Sequence, residues 1–148
     1  MSGALIELDR ADWARFQRIL DRLIDAKPRD LLEQLVGGVE GQTRERIAHT
    51  KESPTGGPWP QWSGRYARTR HRGQALLQSE GDLVDSITGE VESDRAEVGS
   101  NLVYAATHQF GDADRNIPAR PYLGLSAENV DALESLTEHW AEALIHGS

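Results

Sequence analysis

His108, Asp112 and Asp114 are the side chains whose types and spacing come closest to a reactive centre. An imidazole at a helix end, followed by two loop carboxylates, offers nitrogen and oxygen ligands to a divalent cation. A metal held this way activates water, as in a small metal-dependent hydrolase. His-x-x-x-Asp-x-Asp is a weakly specific pattern in an acidic chain, and the competing reading makes His108 a structural histidine hydrogen-bonded beside Tyr104. His49, His71, His139 and His146 show no ligand spacing and read as surface residues. Gly99-Ser100-Asn101 lacks the second glycine of a nucleophile elbow, so serine hydrolase chemistry has little support. Arg65, Arg68, Arg70, His71 and Arg72 could contact phosphate, but no glycine-rich cradle accompanies them, and a solvated or subunit-facing basic strip fits better. The chain has no cysteine, which excludes thiol enzymes, thiolate zinc sites and disulfide frameworks. No cofactor or metal is expected, and a non-enzymatic protein fits the residues better than a catalyst.

A chain of 148 residues suits one domain that buries roughly two thirds of the surface its unfolded form exposes. Neither a signal peptide nor a membrane span is expected, because acids interrupt the early apolar residues and no apolar run approaches a spanning length. The net charge of −8 argues against broad nucleic-acid affinity, which needs cations to displace phosphate counterions. Its distribution says more. Between residues 44 and 72 lie seven basic residues (Arg44, Arg46, Lys51, Arg65, Arg68, Arg70, Arg72) and two acids, a local +5 that leaves −13 on the rest. From Pro121 onward there are five acids and no Lys or Arg. A molecule with two electrical poles can stack head to tail with its own copies.

Those side chains must be positioned by a small set of elements. Residues 4–8 read as a strand or extended entry, Asp9 as a helix cap, and Leu8 with Trp13 as a hydrophobic staple. Trp13, Phe16, Ile19, Leu20, Leu23 and Ile24 recur at helical intervals, so residues 10–26 form an amphipathic helix whose stripe needs a partner. Lys27-Pro28 breaks it and opens a second helix towards Lys51. Gly37, Gly38 and Gly41 oppose that helix and predict a bend; they mark either a weak spot or close packing of two backbones, between subunits among the options. Residues 53–62, with three prolines and two glycines, form a loop whose Trp59 and Trp62 either cover the core or make a contact surface.

Residues 80–87 read as a short helix with Leu83, Val84 and Ile87 inward. Residues 88–93 and 96–100 alternate weakly about a Ser93-Asp94-Arg95 break and predict a hairpin. Residues 102–110 form a helix stopped by Gly111, with Tyr104 and His108 on one face and Val103, Ala106 and Phe110 on another, expected to face the core. Ser126 caps a C-terminal helix over residues 127–145, with Val130, Leu133, Thr137, Trp140 and Leu144 in one stripe. The fold class is therefore α+β: a small antiparallel sheet packed against two long helices from the N-terminal half and a C-terminal helix.

Five pieces then follow one another in a recognisable order: Pro54-Thr-Gly-Gly-Pro-Trp-Pro60, Leu76-Leu77 with Gly81-Asp-Leu-Val-Asp-Ser-Ile87, Val98-Gly99-Ser100, Tyr104-Ala105 with His108-Gln-Phe-Gly111, and Ile117-Pro-Ala-Arg-Pro-Tyr-Leu-Gly124. Together they resemble the virion morphogenesis proteins of Mu-like phages and the related tail completion proteins, over about residues 53–126. The glycine-rich stretch at 36–41 departs from that pattern. The resemblance implies a structural protein of a tailed phage or prophage acting in tail completion or head–tail joining, with helices before and after the matched half. Its partners would be itself, in a ring, and other head, neck or tail proteins; its place would be the virion, and the host cytoplasm during assembly. A ring needs one surface of a subunit to meet a different surface of the next. The basic segment and the acidic C-terminal helix could be those surfaces, or the acids could line a lumen through which DNA passes without sticking. The candidate contact residues are Trp59, Trp62, Arg65, Arg68, Tyr104, His108, Phe110, Arg120 and Tyr122. Arg120, confined between Pro118 and Pro121, either braces its own loop through carboxylates or reaches a neighbour. An acidic regulator that mimics DNA or binds a basic partner is the remaining alternative.

Overall fold

The computed structural model describes residues 10–78, 81–93 and 95–147, apart from the side chains of Asp12, Leu23, Ile24 and Pro28. The expected entry strand at 4–8, the Asp9 cap and the Leu8 staple lie outside the described residues. Helix α1 (Arg10–Asp25) ends where Lys27, extended at φ −92° and ψ 111°, precedes Pro28. A residue before proline is pushed out of the helical region, and proline suits the first turn of the next helix. Helix α2 (Pro28–Glu45) then runs as one continuous helical segment through Gly37, Gly38 and Gly41. Gly38 explains part of this: a Cβ there would sit 3.1 Å from Leu133, so the missing side chain lets a partner helix in the same chain approach. The irregularity comes later, in a π-helical turn (Arg46–Thr50) closed by Lys51 at φ 58°, whose N–H donates to the Arg46 carbonyl at 2.9 Å.

Beyond the proline loop come a one-turn helix α3 (Gly64–Ala67) and a short helix α4 (Asp82–Ser86). Strands β1 (Thr88–Val91) and β2 (Ala96–Gly99) pair antiparallel with Thr88 opposite Gly99 and Val91 opposite Ala96. The hairpin lies against α2 at Gly89, where a Cβ would stand 2.2 Å from Val36 Cγ1. Helix α5 (Ala105–Phe110) and helix α6 (Ala127–His146) complete the order. Ser126 starts α6 with a capping box: its Oγ accepts from Asn129 N–H at 3.1 Å, and Asn129 Oδ1 accepts from Ser126 N–H at 3.1 Å. The architecture is α+β, as the patterning predicts.

The main buried cluster lies beyond the long helices, although Val36 and Thr43 of α2 are buried as well. Ile47, Trp59, Leu76, Leu83, Ile87, Ala105 and Tyr122 form one buried cluster under the π-turn, the proline loop, α4 and α5. No side chain of α6 is fully buried, although its stripe packs on α2 and α1. One expectation fails outright. Val103, in the turn before α5, is 99% exposed, and on α5 itself Phe110 is 78% exposed and Ala106 is exposed, so the face expected inward points to solvent. The inward side is instead taken by Ala105, which receives the Tyr122 hydroxyl, and a one-and-a-half-turn helix has room for a single buried face.

Candidate assembly surface

Residues 117–124 form an extended strip that belongs to no sheet, so its backbone groups need other partners. They find them in long side chains. Gln109 Oε1 accepts from the N–H groups of Tyr122 and Leu123, both at 3.0 Å, and its Nε2 donates to the Leu123 carbonyl at 3.4 Å. Trp59 Nε1 donates to the Pro121 carbonyl at 2.8 Å. Arg46 Nη1 donates to the carbonyls of Tyr122 at 2.8 Å and Gly124 at 3.2 Å, while Nη2 donates to Asn129 Oδ1. The Arg120 N–H donates to the His108 carbonyl at 2.8 Å. Side chains spread from the π-turn to α6 thus substitute for a neighbouring strand, and the strip is rigid because each partner is itself packed.

Arg120 reciprocates. Its Nε donates to the Pro60 carbonyl at 2.7 Å and its Nη2 to the Gln61 carbonyl at 3.3 Å, holding the proline loop that in turn holds Pro121 through Trp59. The expected bracing is present, with carbonyls in place of carboxylates. Burial lowers the Arg120 pKa, against a weaker contribution from Tyr66. Arg120→Ala leaves two carbonyls without their charged donor and should cost about 2–3 kcal/mol, roughly a 5–10 °C fall in melting temperature. A variant that melts like the parent sinks the bracing role.

His108 stands edge-on to Tyr104, with ring centroids 5.4 Å apart and an interplanar angle of 83°. Its Nδ1 is buried without a hydrogen-bond partner among the described residues. Burial, and then the charge of Arg120, push its pKa below 6.5. The folded form therefore favours neutral imidazole, so as pH falls the unfolded chain takes up the proton first. This contribution to stability is complete above about pH 6.5 and declines below it. Thermal melts across that range should show the decline, and His108→Gln should flatten it; an unchanged slope removes His108 as the cause.

The two loop acids do not join His108 as ligands. Asp112 Oδ2 accepts from Arg115 Nε at 2.7 Å, and its Oδ1 accepts from the N–H groups of Asp114 and Arg115 at 3.1 and 3.3 Å. These bonds, the Arg115 side chain foremost, lower the Asp112 pKa. The carboxylate thus closes its own turn, and among the described residues no three His, Asp or Glu side chains gather as a metal group.

Of the nine candidate contact residues, Trp59, Arg120 and Tyr122 are buried within the chain and act beneath the surface. Trp62 is half-buried and meets Tyr66 edge-on at 6.0 Å, with the Arg70 guanidinium 4.4 Å above the Tyr66 ring. Arg65, Arg68, Tyr104 and Phe110 are exposed and His108 is half-buried. A cleft of about 1220 Å³ lies between the proline loop and α5, with Trp62, Tyr66, Tyr104, His108 and three arginines (Arg70, Arg115, Arg120) on its wall, against one acid, Asp82, among the described residues. The basic stretch at 44–72 is not one face: Arg44 donates to the Ile87 carbonyl, Arg46 is buried, and Lys51 Nζ donates to the carbonyls of Ile47 and Leu76 and to Gln78 Oε1. Burial lowers the pKa of both Arg46 and Lys51. Reading by residue type missed Gln109, Arg46 and Lys51 as organisers. The available signal was helical register, which places Arg46 beside Thr43 and Ile47, two buried positions.

The chain belongs to the phage virion morphogenesis family, whose sequence profile matches residues 11–142. It is 30% identical over 125 residues to the putative capsid assembly protein G of Escherichia phage Mu, covering 77% of this chain and 80% of that one. It is 32% identical over 142 residues to the Mu-like prophage FluMu G protein 2 of Haemophilus influenzae, covering 92% and 96%. The FluMu G protein 1 of the same organism is 30% identical over 131 residues, covering 84% and 88%. No solved structure matches the chain. No described helix is long and apolar enough to cross a membrane.

Proposed function

We propose that this chain is a non-enzymatic structural protein of a tailed phage or prophage. It acts as one domain in tail completion or head–tail joining, in a ring of its own copies that contacts other head, neck or tail proteins. The observation that carries this reading is the outward face of α5. Phe110 on α5 and Val103 in the turn before it stand in solvent, on a segment whose backbone carbonyls accept from the Tyr122 hydroxyl and the Arg120 N–H, and large apolar side chains in water favour a contact site. The acidic surface supports passage of DNA through the ring without adhesion, since net charge of −8 repels phosphate. It makes the virion, and the host cytoplasm during assembly, the places where the protein works.

The test is complementation of particles that lack the protein, scored by electron microscopy and infectivity. The parent chain should restore joined heads and tails, whereas Phe110→Asp, with an unchanged melting temperature, should leave them separate. Joined, infectious particles formed without any copy of the chain would sink the proposal.

A further inference from the structure

Helix α1 is tied to α6 near its C-terminal end. Arg22 Nη1 donates to the Ile145 carbonyl at 2.7 Å, and the guanidinium covers Gly147, where a Cβ would lie 2.9 Å from Cζ. Towards its start the helix carries Trp13, Phe16 and Leu20, which are 50%, 45% and 37% exposed, with the two aromatic rings 5.9 Å apart. These positions are i, i+3 and i+7, one face of a helix, so an apolar stripe lies open in water.

Elsewhere the chain has an apolar groove of about 670 Å³ between α2, β2 and α6, lined by Leu32, Val39, Val98, Leu125, Val130 and Leu133. No described residue of α1 lines it. Its length along α2, from Leu32 to Thr43, is about 16 Å, and the span from Trp13 to Leu20 is about 10 Å, so the three anchors fit within it. The rim is acidic, with Glu134 and Glu138 exposed, and the chain beyond Pro121 has no Lys or Arg to neutralise them. Arg10 and Arg15, both exposed, border the stripe of α1 on its two sides. Stripe and groove match in size, hydrophobicity and opposite charge, which is the pattern of a helix laid into a groove. Within one chain the Arg22 bond and the two-residue joint Ala26-Lys27 seat α1 against the far end of α6.

We propose that α1 of one copy lies in the α2–β2–α6 groove of the next copy, with Trp13, Phe16 and Leu20 inward and Arg10 and Arg15 against Glu134 and Glu138. Arm and groove are different surfaces, so the contact repeats from subunit to subunit and closes a ring; the inference thus rests on the ring reading and names its joint.

The absence of cysteine from the chain makes a clean crosslinking test. The full-length double variant Phe16→Cys with Val39→Cys is treated with a mild oxidant over a concentration series. The expected product is a reducible ladder of multimers in steps of one subunit. A mixture of the two single variants should give a mixed dimer, while Val39→Cys alone stays monomeric. Reversing the rim with Glu134→Arg and Glu138→Arg should cut the ladder severalfold, and adding Arg10→Glu and Arg15→Glu should restore it. A crosslink within one chain overturns the proposal, because the arm then fills its own groove. So does a missing ladder at concentrations where sedimentation shows the parent associating, which refutes this joint but leaves the ring. A missing ladder from a parent that is monomeric throughout also overturns it, while the fate of the ring reading is then decided separately by the particle complementation.

Discussion

Arg46→Met lowers the melting temperature by roughly 10 °C, because leaving three acceptors without their charged donor, at about 1–1.5 kcal/mol each, costs about 3–4 kcal/mol in a chain of this size. The guanidinium is buried and spans three acceptors that belong to two separate segments: the carbonyls of Tyr122 and Gly124 and the side chain of Asn129. No carboxylate pairs with it among the described residues, so its removal strands neutral acceptors instead of an unpaired acid. Those acceptors sit in the strip that no strand supports, and Asn129 is also half of the α6 capping box. Arg46→Lys should recover less than half of the loss, since a single ammonium cannot fork between the strip and α6. Arg65→Ala and Arg68→Ala, at exposed positions, should stay within about 0.5 kcal/mol of the parent. Differential scanning calorimetry checks all four, and an Arg46→Met protein that melts with the parent would refute the bracket.

Gly111→Ala should be of comparable severity, costing about 3–5 kcal/mol in urea unfolding. Two independent effects add. The residue sits at φ 74° and ψ 179°, a region essentially reserved for glycine. A Cβ there would also lie 2.7 Å from the Ala119 nitrogen and 2.8 Å from the Ile117 carbonyl oxygen, and backbone atoms fixed by the strip cannot move aside. Gly56→Ala separates the terms. Its φ is 93° but nothing lies within 4 Å of the new Cβ, so it should cost only the conformational part, about 1–2 kcal/mol. Equal losses at the two glycines would show that crowding at Gly111 contributes nothing.

The elements themselves were legible because their signals are local. Proline at the head of α2, serine before α6, glycine after α5 and the break between the strands act over a few residues, and the observed boundaries fall close to the predicted ones. The orientation of α5 was not legible. In the eight residues from Val103 to Phe110, Tyr104 with His108 and Val103 with Phe110 give two plausible inward faces, and periodicity cannot choose between them. Tyr122 chose, by sending its hydroxyl to Ala105 from 17 residues away. The glycines of α2 left two readings open for a related reason: their cost is local, but its offset at Gly38 comes from Leu133 on a helix almost a hundred residues later.

The chain by itself determined the helices, the hairpin, the acid and base imbalance and the ordered motif pieces that resemble the virion morphogenesis family, since each depends on residue type and short spacing. Only the tertiary structure decided what those residues do. It turned Trp59, Arg120 and Tyr122 inward, spent Asp112 on its own turn, split the basic segment between buried brackets and exposed arginines, and left the faces of α1 and α5 in solvent. The reason is that burial and hydrogen-bond partnership are pairwise properties of distant segments. A side chain's role depends on which carbonyls and apolar surfaces reach it when the chain closes, and spacing along one segment carries no record of the other.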